Sequence, residues 1–138
     1  MLYWDASALV SLCVKEADTD QLRRLVSKGI VTWAVSRVEI ASAIERRRRE
    51  ERLDQQSRLR AIAALDQLAG AWTEIHAVDA VCERAVRLLA AHPLRSADAM
   101  QLAAALVCFS DRPRGHGFVC RDLRLSEAAS REGFQIDF

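Results

Sequence analysis

Four acidic residues, Asp5, Glu39, Asp98 and Asp122, are the side chains whose type and placement could do chemistry. Asp5 ends the short apolar run Leu2-Tyr3-Trp4 and is followed at once by Ala6-Ser7-Ala8-Leu9-Val10, so it falls at a strand-to-helix junction. Open α/β folds bind their ligands at that edge of a parallel sheet. Glu39 lies on the helix begun by Ser36, Asp98 in the first turn after Ser96, and Asp122 just past the strand that ends at Cys120. The same reading puts all four near one edge. Oxygen ligands without His or Cys suit a hard divalent cation such as Mg²⁺ or Mn²⁺.

Each acid also has a purely structural explanation. Asp5 and Asp122 each sit just ahead of a helix, where a carboxylate can cap backbone N–H groups. Ser36-Arg37-Val38-Glu39 has the spacing of a capping box, and Asp98 suits the positive end of a helix dipole. Capping, however, needs only a short oxygen acceptor. Two unit charges about 4 Å apart repel by roughly 4 kcal/mol at an effective dielectric near 20. A bound cation offsets that repulsion; a structural role does not.

The elements that must position these residues are legible as alternation. Five short runs read as strands: Leu2–Asp5, Ile30–Ala34, Trp72–Ala77, Gly117–Cys120 and Phe134–Ile136. Between them lie helical stripes: Leu9/Val10/Cys13/Val14, Leu22/Leu25/Val26, Val38/Ala41/Ile44 running on through Arg46–Arg49, Leu59/Ile62/Leu65/Leu68 ended at Gly70, and Val81/Ala85/Leu88/Leu89 ended near His92-Pro93. Ala97–Phe109 is apolar nearly all round, as a helix buried on a sheet would be, and Leu123–Glu132 closes the set with Gly133 as C-cap. Strands alternating with helices predict a three-layer α/β/α sandwich on a five-stranded parallel sheet, one domain over residues 1–138. Right-handed crossovers place every strand's C-terminal end on one edge. The helix pair between the second and third strands is expected to project as an arm, and the loop 111–117 to be mobile.

Composition narrows the function. The chain has 138 residues, 51% of them hydrophobic, and a formal net charge of +1, which excludes a disordered chain or a strongly basic nucleic-acid coat. Only Lys15 and Lys28 among the 20 basic residues are lysines, so planar, phosphate-matching guanidinium forks are plentiful. Cys13, Cys82, Cys108 and Cys120 are too widely spaced for a zinc motif and read as reduced core thiols; His76, His92 and His116 have no partner at ligand spacing. Trp33 and Trp72 fall in strands and read as core. With no membrane-spanning stretch and no signal peptide, a cytoplasmic protein is expected.

Asp5-Ala6-Ser7, Glu39 on the helix begun by Ser36, Ser96-Ala97-Asp98-Ala99, and Asp122 after Phe118-Val119-Cys120 together resemble the PIN domain, and within it the VapC-like toxin ribonucleases of toxin–antitoxin pairs. The resemblance covers essentially the whole chain, in the order and spacing of all four acids. It implies a metal-dependent ribonuclease, a hydrolase of RNA phosphodiesters, with Mg²⁺ or Mn²⁺ held by Asp5 and Asp98. Glu39 and Asp122 would orient the attacking water or complete a second ion site, and Ser7 would support Asp5. It also implies a homodimer and a cognate antitoxin protein laid across the cleft. The resembled family usually has a Thr or Ser just before or near the fourth acid, where this chain has Cys120-Arg121. Arg37, Arg95, Arg121 and Arg124 adjoin the acids and are candidates for gripping RNA phosphates; the run Glu45–Arg52 reads as a solvated helix face or a contacting arm.

Competing readings are a receiver domain, which would need paired acids after its first strand and a late Lys, and a phosphoaspartate phosphatase, which would need Asp at position 7, where Ser7 stands. An RNA-processing or DNA-cleaving nuclease without a toxin role, and an inactive binding module, keep the fold.

Overall fold

Strand β1 (Leu2–Trp4) sends Leu2 and Trp4 into one layer and Tyr3 into the opposite one, as the two-residue period of an extended chain requires. Strand β4 (Gly117–Val119) does the same with Phe118 and Val119. In the computed structural model, which describes residues 1–138, these two strands lie side by side at the centre of the sheet. Strands β2 (Ile30–Trp33) and β3 (Thr73–Ile75) extend it on one side, and β5 (Gln135–Ile136) on the other. The order is β3-β2-β1-β4-β5, with every neighbouring pair parallel.

Helices cover both faces. On one lie α1 (Ala6–Cys13), α2 (Thr19–Arg23), α3 (Ser36–Arg49) and α4 (Gln55–Ala69), packed on Leu2, Trp4 and Val119. On the other lie α5 (Val78–Ala91), α6 (Ser96–Cys108) and α7 (Leu123–Glu132), packed on Tyr3, Val31 and Phe118. This is the expected three-layer α/β/α arrangement. Because β1 hands on to β2 on one side and borders β4 on the other, the sheet's switch point lies between β1 and β4. Gly117 permits the close approach there, since a Cβ at that position would fall 1.8 Å from Asp137 Oδ2 and 2.4 Å from Leu2 Cδ2. Gly133 ends α7 with φ 111°, a left-handed cap that other residues rarely adopt.

Several expectations are corrected. The stripe Leu22/Leu25/Val26 is not one helix: α2 stops at Arg23 and a 3₁₀ turn, Val26–Lys28, follows. The α3–α4 pair does not stand free along its length, because Ile40, Ile44, Ala61 and Leu65 belong to the core beside α1. Loop 111–117 is held at its two ends: Arg84 bonds both carboxylate oxygens of Asp111, and His116 stacks on Phe109 with ring centroids 3.9 Å apart. The four cysteines are free as expected, but only Cys120 is fully buried and Cys82 faces outward. Trp33 and Trp72 are buried, although β3 begins one residue after Trp72. No helix is long and apolar enough to cross a membrane.

Candidate active site

Asp5 leaves β1 at its C-terminal end and caps α1: its Oδ1 accepts from Ala8 N at 3.1 Å. Ser7 Oγ lies 2.8 and 2.9 Å from the two carboxylate oxygens and in turn accepts from Arg121 N at 3.0 Å. The carboxylate is only 4% exposed. Burial pushes its pKa up to about 6, against the opposing hydrogen bonds from Ser7, Ala8 and Cys120. Asp122 likewise caps α7, accepting from Leu125 N at 2.9 Å. At both acids the cap engages Oδ1, and the second oxygen of Asp5 accepts from Ser7.

Glu39 is different. The capping box does not form: α3 begins at Ser36 itself, with Val35 as N-cap, and the Ser36 hydroxyl is buried against Thr32 and Gln101. Glu39 Oε1 instead accepts from Gln101 Nε2 at 3.2 Å. Partial burial pushes its pKa to about 7, against the Gln101 bond and with help from the charges on Asp5 and Asp98. Asp98, in the first turn of α6, is also raised, by burial and then by Asp122, with Arg95 opposing. Tyr3, beneath the site, is raised well above its ordinary value by burial and then by Asp5 and Glu39. The four acids thus form one electrostatic patch running Asp5–Glu39–Asp98–Asp122.

Two cavities open on that patch. One of about 450 Å³, between α1 and α3, is mostly apolar, with Val10, Val38 and Ala43 beside Ser7, Glu39 and Arg46. The other, about 490 Å³, is polar and holds Asp98 and Asp122 with Arg95 and Arg124. Of the four arginines singled out in the sequence, those two line the polar cavity, and Arg121 shares a further opening with Asp122, Arg46 and Arg47. Arg37 turns to α4 and pairs with Asp66. Arg121 pairs with Glu16 and Asp18, both at 2.6 Å, and bonds Ser11 Oγ, tying the β4–α7 loop to the end of α1.

A sequence profile described as the PIN domain matches residues 2–111. The chain belongs to the PIN-domain family. PIN domains are generally nucleases that bind nucleic acid and typically use divalent metal ions. The structure is similar to the crystal structure of PAE2754 from Pyrobaculum aerophilum, with a TM-score of 0.64 at 19% identity, covering 99% of this chain and 89% of that one. At that identity the likeness concerns the fold. Among curated proteins no significant match is found.

The side chains of this PIN domain fit a hard cation in kind, since the acidic groups at the cleft offer oxygen and three of its carboxylates are held toward protonation by burial, with neighbouring acid charge adding to it at Glu39 and Asp98. No three potential ligands meet at one point. An ion here would take carboxylates from two elements and keep waters of its own, the habit of Mg²⁺. Two residues escaped the sequence reading. Gln101 was submerged in an apolar helix, where its isolated polarity was the available signal. Arg46 lay within a charge run, although it is the member nearest Glu39, two helical turns on.

Proposed function

We propose that this PIN domain, spanning residues 1–138, is a metal-dependent endoribonuclease acting as the toxin of a toxin–antitoxin pair. The observation that carries the nuclease reading is the carboxylate patch: four acids from four separate elements, three of them with raised pKa, at the switch point of a parallel sheet. Asp5 and Asp98 would hold the ion, Mg²⁺ or Mn²⁺. Bound there, it lowers the pKa of a water and neutralises charge on the reacting phosphate.

The chain's own groups supply the rest. Ser7 fixes the Asp5 carboxylate in one rotamer through both oxygens. Glu39, with a pKa near 7, is suited to accept the proton of an attacking water, and Asp122 orients that water from the far side. Arg95 and Arg124 sit where they can take the phosphate oxygens of RNA. The apolar α1–α3 cavity beside Glu39 supports an antitoxin segment lying across the cleft. Val78, Val86 and Leu89 are exposed along α5, which supports a homodimer covering them.

The test is RNA cleavage with Mg²⁺, with Mn²⁺ and with a chelator, for wild type and Asp98→Asn. Chelation and the substitution should each lower the rate by about 10³-fold or more, the scale at which a catalytic group acts. Equal rates in wild type and Asp98→Asn would sink the metal-nuclease reading. Growth arrest on expression, relieved by co-expressing a neighbouring small gene, tests the toxin role. Cleavage without arrest would leave an RNA-processing nuclease.

A further inference from the structure

Beneath Glu39 lies a polar chain buried inside an otherwise apolar interface. Gln101 is 1% exposed, and Tyr3, Thr32 and Ser36 around it are fully buried. Tyr3 donates its hydroxyl to Gln101 Oε1 at 2.7 Å. The Gln101 amide nitrogen donates to Ser36 Oγ at 3.0 Å and to Glu39 Oε1 at 3.2 Å. Ser36 Oγ lies 2.7 Å from Thr32 Oγ1, which is 2.7 Å from the carbonyl of Trp4, the residue before Asp5. Tyr3 on β1, Ser36 and Glu39 on α3, and α6 are therefore joined directly through one side-chain amide, with Thr32 of β2 linked through Ser36.

The chemistry of the partners fixes the sense of that amide. In the ionised form that acts on a water, Glu39 accepts and never donates, so the NH₂ of Gln101 faces it. Its oxygen then faces Tyr3, whose hydroxyl can donate. With Tyr3 and Ser36 on either side, the amide cannot turn over without leaving buried groups unpaired, a costly state in a dry interior. A hydrophobic side chain at position 101 would fill the space equally well, as Leu102 and the alanines of α6 do nearby. The network therefore has a use beyond packing.

We propose that Gln101 is a positioning residue for Glu39, and that Tyr3 acts through it by locking the amide with its N–H groups toward the carboxylate. One oxygen of Glu39 is tethered and the other is left to the cleft. Gln101 lies one helical turn beyond Asp98 on α6, so the same helix sets both acids and a shift in one is carried to the other. This inference rests on the reading of Glu39 as the acid that takes the proton of the attacking water.

The experiment measures RNA cleavage with Mg²⁺ for wild type, Glu39→Gln, Gln101→Met, Gln101→His, Tyr3→Phe and the Tyr3→Phe/Gln101→Met double variant. It also records the Gln101 side-chain amide signals by NMR in the metal-free protein. Gln101→Met should lower kcat by about 10-fold or more with KM within about two-fold, as expected where a hydrogen bond to a charged group is lost in the transition state. Gln101→His, which retains an N–H donor, should recover most of that loss. Tyr3→Phe should cost about three-fold alone and nothing further in the double variant, since both act through one contact. The Gln101 amide protons should shift in Glu39→Gln and begin to exchange with each other in Tyr3→Phe. Should Gln101→Met not fold, Tyr3→Phe and the NMR signals decide the matter. Inactive Glu39→Gln beside fully active Gln101→Met, additive losses in the double variant, or amide signals indifferent to Glu39→Gln would each overturn the positioning role alone. Glu39→Gln with wild-type kinetics would overturn the role of Glu39 itself, and the tether with it.

Discussion

On the β1–α3 flank of the cleft, Asp5 and Glu39 are tethered from below: half-buried Ser7 and the α1 backbone hold one, buried Gln101 the other. The adjoining cavity is mainly apolar. On the α6–α7 flank, Asp98 and Asp122 are half-buried, Arg95 and Arg124 flank them, and the cavity is polar. Each flank carries two carboxylates, yet they are under different constraints. The first flank holds its acids rigidly and leaves their charge uncompensated. The second sets guanidinium groups beside its acids, with Arg95 offsetting only part of the rise at Asp98, and leaves them open to solvent. Rigid, high-pKa carboxylates are suited to holding and deprotonating a reactant, and open, charge-mixed ones to meeting a polyanion.

The largest effect that would break this contrast is on stability. Asp5 and Glu39 have folded-state pKa values of about 6 and about 7, above the ordinary carboxylate range. Below that range both are protonated whether folded or not, and the full stability is present. As pH rises, the unfolded chain releases its protons first, so stability falls until the folded-state values are passed. The metal-free protein should therefore melt lower at pH 8 than at pH 5. Asp5→Asn keeps the cap acceptor and removes the buried charge, so at pH 8 without metal it should be more stable than wild type by roughly 2–3 kcal/mol. Asp98→Asn, on the open flank, should change stability much less. Thermal melts across pH, with and without Mg²⁺, measure both. A destabilised Asp5→Asn, or an unchanged pH slope, would remove the distinction between the flanks.

The next effect concerns substrate. Arg95→Ala and Arg124→Ala should each raise KM for RNA about five-fold, leave kcat within about two-fold, and reduce the log–log salt slope of binding by about 1. Arg37→Ala should change none of these, because Arg37 is engaged with Asp66. Arg121→Ala should lower the melting temperature instead, since it unties Glu16 and Asp18 from the β4–α7 loop. Binding titrations at several salt concentrations separate the four. If Arg37→Ala weakened binding as much as Arg95→Ala, the polar cavity would not be the entry side.

The part of this picture that the sequence carried is the part set by period and order. A three-residue apolar run ending in Asp5, repeated strand–helix alternation and right-handed crossover together oblige the strand ends to share an edge, so the four acids could be grouped before their geometry was known. What periodicity does not carry is the partner of a side chain across the fold. Gln101 meets Tyr3 from 98 positions away, and Arg121 meets Glu16 from 105. Both look like ordinary members of their helix or loop. Nor does an apolar stripe say which apolar residues face outward: on α5, Val81, Ala85 and Leu88 are buried while Val86 is 69% exposed. The Ser36–Glu39 spacing matched a capping box for a reason of local sequence alone, and the long-range bond to Gln101 prevailed.

The smallest expected effect lies where the two flanks meet, at Cys120. Its thiol stands two residues before Asp122, where the resemblance leads one to expect a hydroxyl nearby. Asp122 N donates to Cys120 Sγ at 3.2 Å, Sγ donates to the Asp122 carbonyl at 3.3 Å, and Ser7 Oγ lies 3.8 Å from it. Burial, with Asp5 beside it, pushes the thiol pKa far up, so it stays neutral and donates only weakly. The functions of a hydroxyl there are thus already divided between the thiol, which holds the Asp122 backbone, and Ser7, which holds Asp5 and Arg121 N. Cys120→Ser should accordingly change kcat by less than about three-fold, the scale of one neutral hydrogen bond exchanged for another. Ser7→Ala should cost more than Cys120→Ser, because it removes the hydroxyl that reaches both oxygens of Asp5 and leaves Oδ1 with the Ala8 N–H. A gain of ten-fold or more in Cys120→Ser, measured in the same cleavage assay, would mean that Ser7 does not take over the missing hydroxyl and that the junction between the flanks, rather than either flank, limits the site.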